Sequence, residues 1–452
     1  MKRGRGRGRS DDRPSSLIPA ALGTFGTNAL TAVLSLVQVL IVARTLGPAG
    51  RGDVVFLITI ATITGEIASL GIQEANANLA GSKPELRRSL ATNSVIAAFI
   101  LGLLAAFVIA ILVGAFPSVG GGVRRLLLWV TLATLPIFVL KWYLSYLLQA
   151  DYMFASYNLG WLAGPLTTVV ANGLFALLGI LTVESAVITW LIGQFLGLMV
   201  FVVAVVRRYG FGRPNLALGR TTLIFGIKTT FGRFMSVGNG RADQWFIGAM
   251  VGAHKLGIYS IAVAWAESLN YIPGVVTVLQ RPDLVRASEQ EAAHRAAQVF
   301  RRAAMLSVAV AVFLIIAAPF LCVTVFGPKF AGSVIQLRVL ALSAIGLALL
   351  DLLSNALIAQ RRPLLASCGD GAALIVTVVL CIALIPSLAG LGAAIATSVA
   401  YTVGGLVMAV IFIRTLHGEP AEFVPRRDDV AWYVRKARWG LGLAAAGQVN
   451  RA

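Results

Sequence analysis

Residues 36–63 read LVQVLIVARTLGPAGRGDVVFLITIATI, two apolar runs joined by the glycine-rich turn Gly47-Pro-Ala-Gly-Arg-Gly52. Each run belongs to a longer apolar stretch, 17–46 and 53–80. Both exceed the roughly 20 residues of helix that cross a hydrocarbon core about 30 Å thick. Ten more such stretches follow, at 89–116, 124–150, 155–181, 184–206, 216–240, 243–280, 297–326, 332–359, 364–386 and 391–416. The expectation is an all-α polytopic membrane protein with about twelve transmembrane helices. Two of the ranges are longer than one crossing needs, which leaves room for tilt or short re-entrant pieces.

The turn has an echo. Gly252-Ala-His-Lys-Leu-Gly257 repeats the G-x4-G pattern 205 positions later. Leu144-Ser145 before Leu147 and Leu148 is matched by Leu353-Ser354 before Ala356 and Leu357, displaced by 209. Ala186-Val-Ile-Thr189 matches Ala394-Ile-Ala-Thr397, and Gly197-Leu-Met matches Gly405-Leu-Val, both displaced by 208. Three matches in order at nearly constant displacement indicate an internal duplication. Six spans per half is an even number, so the halves share one orientation and form parallel repeats. The expected organisation is a basic tail at 1–16, an N-lobe at 17–208, a C-lobe at 209–416 and a second tail at 417–452, with a central cavity between the two six-helix lobes.

The chain of 452 residues is 58% hydrophobic and 13% charged. Soluble domains carry about 25% charged residues, so a soluble enzyme is excluded. The formal net charge of +19 raises the question of nucleic acid. The distribution of the 38 Lys and Arg answers it. The two tails, the loops after even-numbered spans and the span ends beside them hold 27, the opposite loops and span ends (Arg51, Arg124, Arg125, Arg241, Lys255 and Lys329) hold six, and five lie deeper inside spans. That asymmetry is the positive-inside pattern, and it places both termini in the cytoplasm. The run KRGRGRGRSDDRP at the start has too few repeats and no aromatics for nucleic acid, and reads as a topology signal near anionic lipid. The apolar run from Leu17 is too long for a signal peptide. VAWYVRKARWGLGL near the C-terminus mixes Trp432, Tyr433 and Trp439 with Arg435, Lys436 and Arg438, and reads as an interfacial helix. The three cysteines and three histidines form no disulfide or metal pattern. No cofactor motif occurs, neither a Walker loop nor a G-x-G-x-x-G turn nor a nucleophile elbow.

A charge within hydrocarbon is costly unless it meets water or a partner, so ionisable groups inside spans are functional candidates. The basic ones are Arg44, Lys141, Lys228, Arg233 and Arg338, with Arg241 near an end. The acidic ones are Glu66, Asp243, Glu267 and Asp351, with Asp53, Glu74 and Asp370 near ends. Polar residues recur at helical spacing: Asn28, Thr31, Ser35, Gln38 and Thr45 in the first span, and Thr59, Thr62, Glu66, Ser69, Gln73 and Asn76 in the second. In the seventh, Lys228, Gly232, Arg233, Ser236, Gly240 and Gln244 line up, and in the eighth Glu267 and Asn270 share a face. These four spans are equivalent pairs under the repeat and are expected to line the cavity. The competing reading is that the polar groups are hydrogen bonds between packed helices, and that Arg44 and Asp53 pair locally to fix the turn. A cavity with a basic lean suits phosphate, which Arg grips in bidentate fashion. The expected phosphate contacts are Arg44, Lys141, Lys228, Arg233 and Arg241. Gln38, Gln73, Asn76 and Asn270 supply polar lining, and Asp53, Glu66 and Glu267 are candidates for ion coupling.

The stretch VLIVARTLGPAGRGDVVFLITIATITGEIASLGIQEA (39–75) resembles the opening of the polysaccharide-biosynthesis flippases. Their superfamily also holds the MATE antiporters and the lipid II flippases. RADQWFIGAMVGAHKLGIYSIAVAWAESLNYIPG (241–274), FGPKFAGSVIQLRVLALSAI (326–345) and IPSLAGLGAAIATSVAYTVGG (385–405) extend the resemblance over about 17–416. It implies a MATE-like pair of lobes working by alternating access in a cell (inner or plasma) membrane. The implied substrate is a polyprenyl-diphosphate-linked glycan, moved from the cytoplasmic to the outer leaflet for cell-envelope polysaccharide. Its diphosphate would meet the cavity cations, and a polysaccharide polymerase or ligase is an implied partner. By position, Arg44 and Asp53 resemble charged positions of the flippase branch, and Arg233 and Arg241 lie where that branch places cavity charge.

Two other functions fit a polytopic chain. A MATE-like cation-coupled drug exporter predicts that acidic residues dominate binding, with Glu66 and Glu74 as its cation site. A membrane glycosyltransferase or polymerase predicts a large external loop with paired carboxylates. The loops expected outside are short, about ten to twenty residues, so the chain is expected to act as a carrier rather than an enzyme.

Overall fold

A backbone in hydrocarbon must satisfy its own N–H and C=O groups, and a helix does this within one segment. In the computed structural model every described element is helical. The structure describes residues 17–416 except 272, 275, 278–279, 281–283 and 285–286, together with 419–424, 426, 428 and 429. The basic tail at 1–16 and the aromatic stretch at 430–452 lie outside the described residues, as do the side chains of 17–22, 24–25, 118–119 and 228–231.

The helices are α1 (Leu17–Ala68), α2 (Ile72–Ser82), α3 (Arg87–Ala115), α4 (Arg125–Ala133), α5 (Leu135–Ala150), α6 (Phe154–Leu177) and α7 (Val183–Arg208), then α8 (Leu216–Val251), α9 (Ala253–Ala266), α10 (Glu289–Pro319), α11 (Ser333–Ala341), α12 (Ala344–Ala359), α13 (Pro363–Leu388) and α14 (Gly390–Leu416). Among the described residues, eight segments are long and apolar enough to cross a membrane, and nine if α11 and α12, bent by 47°, count as one span.

One expected boundary stays and one moves. α1 is 52 residues long, about 78 Å at 1.5 Å per residue, and Gly47 breaks it with φ 67° and ψ −173°. The seventh and eighth spans were expected to part near residue 241. Instead α8 runs on to Val251 and the break falls at Gly252, φ 88°. Arg241 and Asp243 are therefore inside a helix. Asn239, Asp243 and Gln244 find partners on neighbouring helices.

The first of two compact units comprises residues 17–41, 68–108 and 130–227. Its core is built on α5, where Tyr143, Leu144, Leu147 and Leu148 pack with Leu90, Ala91 and Ala98 of α3 and Phe201 and Val205 of α7. α6 and α7 meet through glycines: a methyl on Gly193 would strike the backbone of Gly164, and one on Gly197 the carbonyl of Gly160. Small residues at four-residue spacing let helix backbones approach this closely. Asp151, just past α5, accepts hydrogen bonds from Arg87 and, at 2.8 Å, from Arg208, joining the ends of three helices.

The second unit comprises 42–67, 109–129 and 228–429. α12 packs Leu350, Leu353, Ala356 and Leu357 against Met408, Phe412 and Leu416 of α14 and the alanines of α10. α13 and α14 repeat the small-residue contact, with Gly404 against Gly369 and Ala373. α10 starts on a capping box, Ser288 with Glu291, which satisfies two N–H groups that a helix start leaves open.

The two G-x4-G turns meet inside this unit, and they meet symmetrically. A Cβ on Gly52 would overlap the carbonyl of Ala253, and a Cβ on Gly257 would overlap the carbonyl of Pro48. Both contacts are related by the repeat displacement of 205. Gly47 and Gly252 both take positive φ, which glycine adopts without steric cost.

After α14 the segment 419–429 returns to α10. Phe423 packs on Phe300 and Phe412, and Asp429 accepts from Arg301 Nε at 2.8 Å with Arg302 at 3.5 Å. Burial acts to raise the Asp429 carboxyl, but the Arg301 hydrogen bond, the Arg426 N–H and the charges of Arg301 and Arg302 outweigh it and hold it below the usual carboxylate range.

A depressed carboxylate stabilises the segment at pH values above its unfolded pKa of about 4, and that contribution is lost as the pH falls through the folded value. Protection of the 419–424 amides, relative to their intrinsic exchange rates, is therefore expected to be high at neutral pH and to fall only below about pH 4. Asp429→Asn should show the lower protection already at neutral pH. For the turns, Gly52→Ala or Gly257→Ala is expected to destabilise by about 3 kcal/mol, since overpacking against backbone cannot relax. Gly81→Ala, whose Cβ would meet open space on α2, should be neutral or slightly stabilising. Thermal unfolding in micelles reads all three.

Candidate functional site

The charged groups of the second unit gather around α8, whose residues from 228 onward belong there. On one strip Arg233 pairs with Glu66 of the second arm of α1. Eight residues on, a rise of about 12 Å, Arg241 pairs with Glu267 at 3.1 Å. Glu66 is buried, whereas Arg241 and Glu267 are each more than a third exposed. A pair at that exposure contributes only about 0 to 1 kcal/mol, so its guanidinium can be surrendered to a ligand at little cost. Glu267 and Asn270 sit in a short 3₁₀ turn that continues α9, and both are exposed.

A second strip of α8 carries Asn239 and Asp243, four residues apart and so on one face. Asn239 Oδ1 accepts from Thr377 of α13 at 2.6 Å. Asp243 accepts from Tyr259 of α9 at 2.5 Å and from Thr397 of α14 at 3.2 Å. Gln244 Oε1 accepts from Thr59 at 3.3 Å. These buried hydrogen bonds fix the rotation of α8 and hold Arg233 and Arg241 in place.

The expected phosphate contacts thus divide. Arg233 and Arg241 share α8. Arg44, exposed, donates to the backbone carbonyls of Val325 at 2.7 Å and Thr324 at 3.1 Å, where it caps the π-turn that ends α10. Lys141 belongs to the first unit, buried, with its Nζ 2.8 Å from Gln194 Oε1 and 4.7 Å from the Trp161 ring centroid. Lys228 falls outside the residues whose side chains are described. Asp53 is half-buried in the second unit.

The expected polar face of the second span divides as well. The helix breaks at Leu70 and Gly71, both at positive φ, where Tyr143 donates to the Ser69 carbonyl at 2.8 Å. Glu66 before the break joins the second unit, while Gln73 and Asn76 after it are buried in the first. Gln73 donates to Ser69 and Asn76 to Ser94, at 3.1 and 2.8 Å. Gln38 accepts from Asn172, which in turn accepts from Thr189 at 2.8 Å. For Gln38, Gln73 and Asn76 the helix-packing reading describes the contacts seen.

One residue was missed. Arg51 was counted as a loop charge, but it is 8% exposed and donates from Nε to Ser260 Oγ at 3.2 Å. Its place inside G-x4-G, between glycines that must be closely approached, was the available signal. Among the described residues no cluster of His, Cys, Asp or Glu could hold a metal ion.

A family model described as polysaccharide biosynthesis protein matches residues 41–335. None of the curated proteins compared matches the sequence. Among solved structures the fold is similar to the inward-facing conformation of a multidrug resistance MATE family transporter of the MOP superfamily, with TM-score 0.71 and 15% identity over 88% of this chain and 98% of that one. It is also similar to the lipid II flippase MurJ in an inward closed conformation, with TM-score 0.68 and 14% identity over 90% of this chain and 89% of that one. A third is a MOP superfamily transporter from Pyrococcus furiosus, TM-score 0.52, 17% identical, covering 89% of this chain and 96% of that one.

Removing one partner of a buried ion pair strands the other, at about 3 to 5 kcal/mol. Arg233→Ala is therefore expected to lower the unfolding temperature of the purified protein. The double variant Arg233→Ala with Glu66→Gln should recover a large part of that loss. Additive losses in this cycle would show that the two side chains are not energetically paired.

Proposed function

Because the chain belongs to the polysaccharide biosynthesis protein family, we propose that it moves a polyprenyl-diphosphate-linked oligosaccharide from the cytoplasmic to the outer leaflet. Its fold is that of multi-pass membrane transporters and flippases. The finer reading rests chiefly on α8, which holds two arginines on one strip inside an apolar unit, each against a carboxylate that a diphosphate can replace. Arginine binds phosphate in bidentate geometry, and in a water-poor site such contacts are stronger than in solution.

In this reading Arg233 and then Arg241 grip the diphosphate in turn, and alternating access carries it between leaflets. The positive-inside distribution supports cytoplasmic termini, and the two displaced sets of motifs support six-helix lobes at 17–208 and 209–416. Asp53, Glu66 and Glu267 are the proposed coupling groups, because carboxylates at membrane depth exchange protons or sodium. A polysaccharide polymerase or ligase would draw on the delivered glycan. A second reading, a cation-coupled exporter, is favoured by Asp243, a buried carboxylate whose partners are hydroxyls and a backbone N–H rather than an arginine.

The test is a liposome assay with a fluorescent polyprenyl-diphosphate oligosaccharide and a membrane-impermeant reagent that reports crossing. Wild-type protein is expected to support crossing, and Arg233→Ala to reduce it by about tenfold or more. Arg233→Lys should keep part of it. Wild-type rates in Arg233→Ala and Arg241→Ala would remove the phosphate grip. Ethidium efflux that follows a cation gradient and disappears in Asp243→Asn would favour the exporter. A flux indifferent to proton and sodium gradients would remove the three carboxylates from coupling.

A further inference from the structure

Arg51 is a more than nine-tenths buried guanidinium with no carboxylate hydrogen-bonded to it among the described residues; its side-chain partner is the Ser260 hydroxyl. Two turns along α9 from Ser260, Glu267 is held by Arg241 at 3.1 Å. The carboxylate on that face is therefore paired with Arg241 rather than with Arg51. A buried charge without full compensation is expensive, and a protein that keeps one usually has a ligand of opposite sign for it.

The placement is built rather than accidental. Arg51 stands on the turn that the Gly52 and Gly257 contacts lock to α9. Ser260 Oγ donates to the Gly257 carbonyl at 2.8 Å, which orients its acceptor lone pairs toward Arg51 Nε. Ser260 and Glu267 are seven residues apart along α9 and its 3₁₀ extension, two turns on the same face and about 10 Å along the axis. Arg51 and Arg241 thus approach one face two turns apart. Two guanidiniums directed at one face suit a diphosphate, which offers oxygens on two phosphorus atoms, better than a single phosphate.

We propose that Arg51 and Arg241, with Ser260 as positioning residue, form a second diphosphate station in this unit, separate from Arg233. Glu267 occupies Arg241 when the station is empty and yields it when the ligand arrives. The ligand chemistry is a diphosphate, either of the lipid-linked substrate or of free inorganic pyrophosphate; the first source rests on the flippase reading above. The positive-inside topology places the G-x4-G turns on the exit side, so the station would receive the diphosphate after Arg233 has released it.

Calorimetry on the full chain in nanodiscs, with inorganic pyrophosphate and farnesyl diphosphate as probes, tests this. Both are expected to bind and to compete. Arg51→Gln should weaken binding by about tenfold, the usual loss of a charge-assisted hydrogen bond. Glu267→Gln, a change at a half-exposed side chain, should tighten it by about threefold, because a surface-paired carboxylate competes only weakly. That gain keeps the test decisive should Arg51→Gln fail to fold. Farnesyl diphosphate binding that depends on Arg233 but is unchanged in Arg51→Gln and Glu267→Gln would overturn the station and leave the flippase reading standing. Pyrophosphate binding with the expected dependences, but no competition by farnesyl diphosphate, would uphold the station and count against a lipid-linked ligand. If neither probe binds, the station is overturned, and the liposome assay judges the flippase reading separately.

Discussion

Two backbone turns pressed together at glycine set the geometry of the charged unit. Gly52 lies on the carbonyl of Ala253 and Gly257 on that of Pro48, with no room for a side chain at either place. The contact brings the start of the second arm of α1 against α9. Thr59 then reaches Gln244, Glu66 reaches Arg233, and Arg51 reaches Ser260. A helix is stiff at this scale, so a fixed crossing near one end dictates which residues meet further along. The contact is also self-complementary, since each turn supplies one glycine and one carbonyl. A duplicated sequence produces such a pair from one motif used twice.

Hydrogen bonds in the same unit divide the labour on α8. Asn239 and Asp243 spend their polar capacity on Thr377, Thr397 and Tyr259. These groups are buried and satisfied, which makes them costly to disturb. Arg233 and Arg241 face the other way, toward carboxylates. One strip anchors the helix and the other is left with exchangeable partners. That separation is what a binding helix needs, because a site is held in geometry only when the residues behind it are locked.

Much of this was legible in the residues, and the rest failed for identifiable reasons. Apolar run length and the charge asymmetry between loops gave a polytopic helical chain, because lipid allows few alternatives. The G-x4-G echo was legible, but not that the two copies touch, since spacing along a chain says nothing of contact across it. The division of Glu66 from Gln73 and Asn76 was signalled only by Gly71, one glycine in an apolar run, which sequence alone does not separate from a glycine inside a helix. Tyr143 donates to the Ser69 carbonyl at that break. The expected boundary near residue 241 failed for the converse reason: Asn239 and Asp243 are helix residues with partners on α9, α13 and α14. Arg44 matched a charge expected for phosphate, yet its donors go to the open carbonyls at a helix end, a demand that composition does not reveal.

The two arginines of α8 differ in how firmly their partners are held. At Arg233 the carboxylate partner Glu66 is buried. At Arg241 the partner Glu267 is nearly half exposed and weakly held. In the proposed reading a dianion would therefore have less to break at Arg241 than at Arg233. A carrier that holds its cargo too firmly at the entrance cannot release it, and one with equal stations gives no bias between them. In the proposed reading the difference lies along about 12 Å of one helix, between a buried carboxylate at Arg233 and an exposed one at Arg241.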